Sequence, residues 1–383
     1  MKIQSVERDS FASYQLDLIR GLAALMVLAG HAVGLFLYLP KEQPTSWIGT
    51  AAYYASAYGH EAVMIFFVLS GFLVGSTVVK QVEQGRWSWG NYAISRLTRL
   101  MIVLIPALLI GFGLDRLGIY NFGESGIYGG GPVYHGIIPG AVSAVATWPT
   151  FWGNLFFLQT IKFWTLGSNG PLWSLAFEFW YYVIFPLLWI GLKGKNSILV
   201  RALFVIAACA CLAFIGKHAA IRFAIWLLGV GVAMIPPVPG LGRPIARNAA
   251  LLVLVGITVA THFSRFHASL IADTLVGLTF ATFLLTTLNA PNRDLSQSRK
   301  WVSRGLSNVS YTVYLFHLPM LVFLHALLVP AGSLLPANAG NVGMVVGLVV
   351  SVFAVCVGMW WLFESRTDVV RKWVQSKFLP RAI

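Results

Sequence analysis

Several of the few ionisable residues in this sequence stand inside its most apolar runs. Arg20 and His31 both lie in "LDLIRGLAALMVLAGH", residues 16–31. Eleven residues at 100° each make three full turns plus about 20°, so a helix sets the two on one face, about 16 Å apart along its axis. With Arg20 near one interface, His31 falls near the midplane of a hydrocarbon core about 30 Å thick. Groups of this kind are costly at that depth and face a cavity or a partner. An arginine can snorkel to the headgroups and a histidine can bond a neighbouring helix. The shared face favours a polar cavity open to the cytoplasm. Asp17, one turn before Arg20, is placed to pair with it.

A second stripe lies in "PLWSLAFEFWYYVIFPLL", residues 171–188, where Ser174, Glu178 and Tyr182 recur at i, i+4 and i+8 and share a face. Glu178 is a candidate acid, base or orienting carboxylate, or a buried partner for an arginine or histidine. In "SNVSYTVYLFHLPML", residues 307–321, Ser310, Tyr314 and His317 again fall on one face. Ser70-Gly71 interrupts the apolar "MIFFVLSGFLV" at 64–74, suiting either close helix contact or room for a ligand chain. His60-Glu61 at its outer end can touch an outside acceptor or lie in the interface. Arg96 and Arg99, one turn apart in "SRLTRL", form a fork suited to phosphates, although inner loops carry arginines in any case. Glu364 is placed to orient such an arginine.

The elements that must hold these residues are membrane-crossing helices. The chain is 57% hydrophobic and only 10% charged, too few charges to cover a water-facing surface. We read an all-α, polytopic transmembrane helical bundle of about ten spans: 16–39, 60–79, 97–115, 172–192, 200–216, 220–236, 248–263, 270–289, 307–329 and 341–363. With both termini cytoplasmic, 20 of the 27 Lys and Arg fall on the inner side and six, Lys41 and Arg265 among them, on the outer. That asymmetry is the positive-inside pattern, so topology explains the net charge of +14 and nucleic acid is not a partner. Residues 137–158 are apolar but hold Pro139 and Pro149, and counting them as a span would spoil the charge pattern. They belong instead to one long outer segment, 116–171, with an interfacial or re-entrant helix. Cys209, Cys211 and Cys356 sit in apolar runs with no metal or disulfide pattern.

In order and topology, these motifs resemble the acyltransferase 3 family of bacterial integral-membrane acyltransferases. The resemblance runs from residue 16 to about 365. It rests on Arg20-x10-His31, "FFVLSGFLV" at 66–74, Arg96-x-x-Arg99, "LWSLAFEFWYYVIFPLL" at 172–188 and "SYTVYLFHLPML" at 310–321. It implies one acyltransferase membrane domain over residues 1–383, in the bacterial inner membrane; some members carry a fused soluble domain, and none is expected in this sequence. It further implies transfer of an acyl group, acetyl by family habit, from cytoplasmic acyl-CoA to a hydroxyl of a surface polysaccharide, lipopolysaccharide or lipid-linked oligosaccharide. Acetyl-CoA would be a co-substrate, with no bound cofactor and no metal. On this reading His31 is the base and Glu178 orients the acceptor or steadies the imidazolium. Arg20, Arg96 and Arg99 hold the donor phosphates, with Asp17, Ser70, Ser174, Tyr182, Tyr314, His317 and Glu364 in support. No Ser or Cys sits beside His31 on its helix, which favours direct transfer over an acyl-enzyme. The rival class is a proton-coupled transporter or flippase, with His31, Glu178 and His317 as a proton relay.

Overall fold

The computed structural model of the chain describes residues 3–38, 46–124, 126–264 and 268–379. Lys2, Lys41, Arg265 and Arg381, which enter the charge balance, lie outside the described residues, as does Ser125 of the outer segment. In chain order the helices are α1 (Phe11–Phe36), α2 (Trp47–Ser56), α3 (Gly59–Ser70), α4 (Ser76–Glu83), α5 (Trp89–Phe122), α6 (Val142–Val145) and α7 (Trp148–Leu155). They continue as α8 (Leu172–Lys193), α9 (Ile198–Met234), α10 (Pro244–His262), α11 (Leu270–Leu288), α12 (Gln297–Leu328), α13 (Ala339–Leu362) and α14 (Thr367–Phe378). Among the described residues there are no strands, only two isolated bridges.

Local chemistry sets several of the helix starts. The side chains of Ser46, Thr147, Ser269 and Asn338 each accept the backbone N–H three residues on, satisfying one of the donors a helix leaves open at its start. Pro244 opens α10, where its missing N–H costs nothing. Nine helical segments among the described residues are long and apolar enough to cross a membrane. One of them, α9, is two helices meeting at Gly216, whose φ of 81° only glycine adopts readily. Residues 137–158 form no such helix. They hold α6 and the eight-residue α7, which rises about 12 Å. Leu203 and Ile206 on α9, Leu252 and Val253 on α10, and Val346 and Val350 on α13 are exposed, an outward apolar face suited to lipid.

The chain forms two units. The first comprises Met1–Ala23, His60–Ser88 and Phe177–Ser307. Its core packs Phe67, Phe72, Tyr181, Phe223, Trp226 and Phe280. A π-helical turn, Gly71–Gly75, follows α3 and lies against α9. A Cβ on Gly71 would stand 1.8 Å from the Trp226 carbonyl oxygen, and one on Gly229 1.9 Å from that of Val68. These glycines let two backbones meet, so of the two uses weighed for Ser70-Gly71 the structure takes close helix contact.

The second unit comprises Ala24–Gly59, Trp89–Ala176 and Asn308–Ile383. Leu28, Leu35 and Phe36 of α1 and Leu315, Leu318 and Leu321 of α12 are buried in it. Here a Cβ on Gly30 would meet the Ser56 carbonyl oxygen at 2.7 Å, and one on Gly34 would meet Ile137 Cδ1 at 2.8 Å. The segment around Ile137 is therefore packed on α1 one turn beyond His31.

Candidate active site

In the second unit, α1 and α12 bring His31 and His317 together. Nδ1 of His31 lies 2.8 Å from Nε2 of His317, with the rings near parallel at 14° and their centroids 5.0 Å apart. His317 is buried and His31 half-buried. Nδ1 of His317 lies 2.8 Å from the Val313 carbonyl oxygen. A carbonyl only accepts, so His317 carries its proton on Nδ1 and, when neutral, offers a lone pair at Nε2. His31 must then donate its Nδ1–H, which leaves its Nε2 lone pair free. Backbone carbonyl, His317 and His31 form a directed chain that ends in an open basic nitrogen.

Next to this pair, Tyr314 donates to the Pro171 carbonyl at 3.0 Å and therefore accepts from Ser174 Oγ at 2.7 Å. Asn169 Nδ2 donates to the Leu315 carbonyl at 2.9 Å. The start of α8 and the loop before it are thus fastened to the turn of α12 that carries His317. Toward the C-terminal end of α12, His325 stands edge-on to Phe36 and Tyr134, whose centroids are 5.2 and 5.1 Å away. Burial raises the Tyr134 phenol above its ordinary pKa, so it remains a neutral donor to the Ser333 carbonyl.

Lower on α12, Thr312 donates its backbone N–H and its hydroxyl to Glu364 Oε2 at 3.2 and 2.6 Å. Glu364 Oε1 accepts from Arg99 Nη1 at 2.5 Å, and the Arg99 guanidinium lies over the Tyr311 ring, 5.2 Å from its centroid. Glu364 is buried while the Arg99 side chain is 38% exposed. Arg99 therefore keeps an exposed side while its position is set from within. Arg96 Nη2 donates to Ser95 Oγ at 3.1 Å.

The first unit holds the other candidates. Glu178 Oε1 accepts from Ser70 Oγ at 2.9 Å and from the Tyr182 hydroxyl, while Trp226 Nε1 donates to Ser70 Oγ at 3.1 Å. The stripe Ser174, Glu178, Tyr182 is accordingly divided: its first member bonds within the second unit, the others within the first. Arg20 Nη1 donates to Ser307 Oγ at 3.3 Å, and Ser307 donates to Asp17 Oδ1 at 2.9 Å, so the two charges are bridged by a hydroxyl. His60 Nε2 bonds Asp273 Oδ1 at 2.7 Å, and Arg222 takes the other oxygen of Asp273. His262 Nδ1 lies 3.0 Å from Glu61 Oε1. His60 and Glu61 thus fasten α3 to α10 and α11.

Sequence reasoning overlooked Thr312, Trp226, Asn169 and the acidic residues Asp115 and Asp273. The last two carried a usable signal, since a carboxylate in an apolar run always requires a partner. Asn169 carried none, because its partner is a backbone carbonyl.

Comparison with known proteins gives the same family as the motifs. The family model described as an acyltransferase domain, acyltransferase 3, matches residues 13–361. An acyltransferase called MdmB from Streptomyces mycarofaciens is 28% identical over 205 residues, 51% of this chain and 45% of that protein. An O-acetyl transferase of Shigella phage Sf6 is 25% identical over 190 residues, 49% of this chain and 50% of that protein. An uncharacterised protein of Haemophilus influenzae is 30% identical over 147 residues, 37% of this chain and 54% of its own length. The chain spans about half the length of the curated relatives it matches. No solved structure matches it.

Proposed function

Since the chain belongs to the acyltransferase 3 family, we propose that it is a membrane-embedded O-acyltransferase. It moves an acetyl or related acyl group from cytoplasmic acyl-CoA to a hydroxyl of a cell-surface or lipid-linked carbohydrate, with His31 as general base. The observation that carries this reading is the directed chain from the Val313 carbonyl through His317 to His31, which leaves Nε2 of His31 as the proton acceptor.

The steps follow from that polarity. His31 Nε2 takes the proton of the acceptor hydroxyl as its oxygen attacks the thioester carbonyl carbon. His31 is then an imidazolium whose Nδ1–H bond to His317 becomes charge-assisted and stronger. The tetrahedral intermediate collapses, the carbon–sulfur bond breaks, and His31 returns its proton to the departing CoA sulfur. Arg96 and Arg99 bind donor phosphates, with Arg99 held in place by Glu364, and Arg20 assists from α1. Glu178, with Ser70 and Tyr182, orients the acceptor. The chain crosses the bacterial inner membrane ten times, the break at Gly216 dividing α9 into two spans of about 27 Å each, with both termini cytoplasmic.

The test is made on purified protein in detergent with radiolabelled acetyl-CoA, comparing wild type with His31→Ala and Arg96→Ala. The expected result is that His31→Ala stays folded and binds donor but loses about 10²–10⁴-fold in turnover, whereas Arg96→Ala binds donor weakly. A wild-type protein that neither binds nor turns over any acyl-CoA refutes the reading in favour of a transporter.

A further inference from the structure

Pro319 interrupts the hydrogen bonding of α12. It has no N–H, so the carbonyl of Leu315, four residues earlier, lacks the donor that a helix normally supplies. In apolar surroundings that loss is costly unless another donor arrives. Asn169 Nδ2 is that donor, at 2.9 Å. Chemistry dictates the amide's orientation, because a carbonyl only accepts and the nitrogen must face it. The other end of the amide, Asn169 Oδ1, is buried with no donor among the described residues. An unmade bond on one side is thus tolerated to keep the cap on the other.

Asn169 is itself anchored. Ser168 donates its backbone N–H to Asp115 Oδ2 at 2.8 Å and its hydroxyl to Asp115 Oδ1 at 2.7 Å. Gly167 has a φ of 56°, and a Cβ there would stand 1.8 Å from Asp115 Oδ2, so the carboxylate closes directly on the loop backbone. Asp115, Ser168 and Asn169 are all buried. On the other side of the kink, Gly111 of α5 allows Pro319 to approach, a Cβ there lying 3.2 Å from Pro319 Cγ. The same helix therefore holds both the proline and, through Asp115, the loop that caps it.

Leu315 is two residues from His317 and two from Val313, whose carbonyl takes the His317 proton. We propose that Asn169 is a positioning residue for the His31–His317 pair. By capping the carbonyl that Pro319 orphans, it holds the kinked turn of α12 at the angle that keeps Nε2 of His317 against Nδ1 of His31. Asp115 secures it through Ser168. This rests on the reading of His31 as the base, and it adds to that reading a part of the outer segment as a support of the proton acceptor.

The test pairs turnover with a measurement that needs no substrate, histidine ¹⁵N NMR, which reports whether His31 carries its proton on Nδ1. Asn169→Leu keeps the branching and the number of side-chain heavy atoms and removes the donor. We expect about a tenfold fall in turnover at saturating acetyl-CoA, unchanged donor binding, and a His31 signal no longer fixed in the Nδ1–H form. Adding Pro319→Ala, which returns an N–H to the Leu315 carbonyl, restores both readouts. Asp115→Asn shifts them the same way, more weakly, and is non-additive with Asn169→Leu; it also serves if Asn169→Leu fails to fold. Unchanged turnover and spectrum in either folded variant overturn the proposal, as does a loss that Pro319→Ala leaves in place. If wild type transfers no acyl group, the base reading fails, and the spectra still decide whether Asn169 holds the pair.

Discussion

His317→Leu separates the histidine pair from its neighbours with little change of volume. In wild type, Nε2 of His317 accepts the Nδ1–H of His31 at 2.8 Å. Leucine takes that acceptor away in a buried position. Two losses follow. Neutral His31 is no longer obliged to hold its proton on Nδ1, so part of the population carries it on Nε2 and cannot act as a base. In the transition state, where His31 is positive, a hydrogen bond from a charged donor worth about 1.5–3 kcal/mol disappears. At about 1.4 kcal/mol per tenfold, kcat falls about 10- to 150-fold. Donor affinity is unchanged, because the lost bond strengthens only as the proton moves. His317→Gln is the informative companion. It sets an amide oxygen near the former Nε2, keeping an acceptor for His31 while giving up the Val313 contact, and it retains most of the activity. The assay is CoA thiol release at saturating acetyl-CoA, with equilibrium donor binding measured alongside. A folded His317→Leu protein within twofold of wild type would refute the directed chain, as would a glutamine variant as impaired as the leucine one.

Gly71→Ala places a methyl where only 1.8 Å separates it from the Trp226 carbonyl oxygen; the expected cost is about 2–3 kcal/mol, seen as a lowered melting temperature in detergent or as failure to fold. Arg99→Ala leaves the buried Glu364 carboxylate with Thr312 as its remaining partner. The expected destabilisation is about 2 kcal/mol, between exposed and buried pairs because Arg99 is partly exposed, and Glu364→Gln in the same chain recovers part of it in thermal unfolding. Glu178→Gln keeps the shape of the Ser70–Tyr182 cluster but weakens its two charge-assisted bonds. It should raise the acceptor KM more than it lowers donor binding, as measured with a soluble sugar acceptor.

The chain's composition and the length of its apolar runs were enough to establish an all-helical membrane protein, because a backbone in lipid must satisfy its own hydrogen bonds and only a few folds can do so. Helical spacing, and for Ser70 a break in an apolar run, singled out residues that prove to be hydrogen-bonded within polar clusters: Arg20, His31, Ser70, Glu178, Tyr314 and His317. Spacing states which side chains look the same way along one helix. It does not state what faces them. That His31 meets His317 across 286 positions of sequence, that the stripe at 174–182 is divided between two clusters, and that Glu364 is bonded by Thr312 as well as Arg99 were decided by packing. The same holds for Asn169, whose partner is a main-chain carbonyl exposed by a proline on a distant helix. Backbone groups are identical at every residue, so no pattern of residue types announces which of them will need a donor; only the packed helices and the loop laid against them decide it.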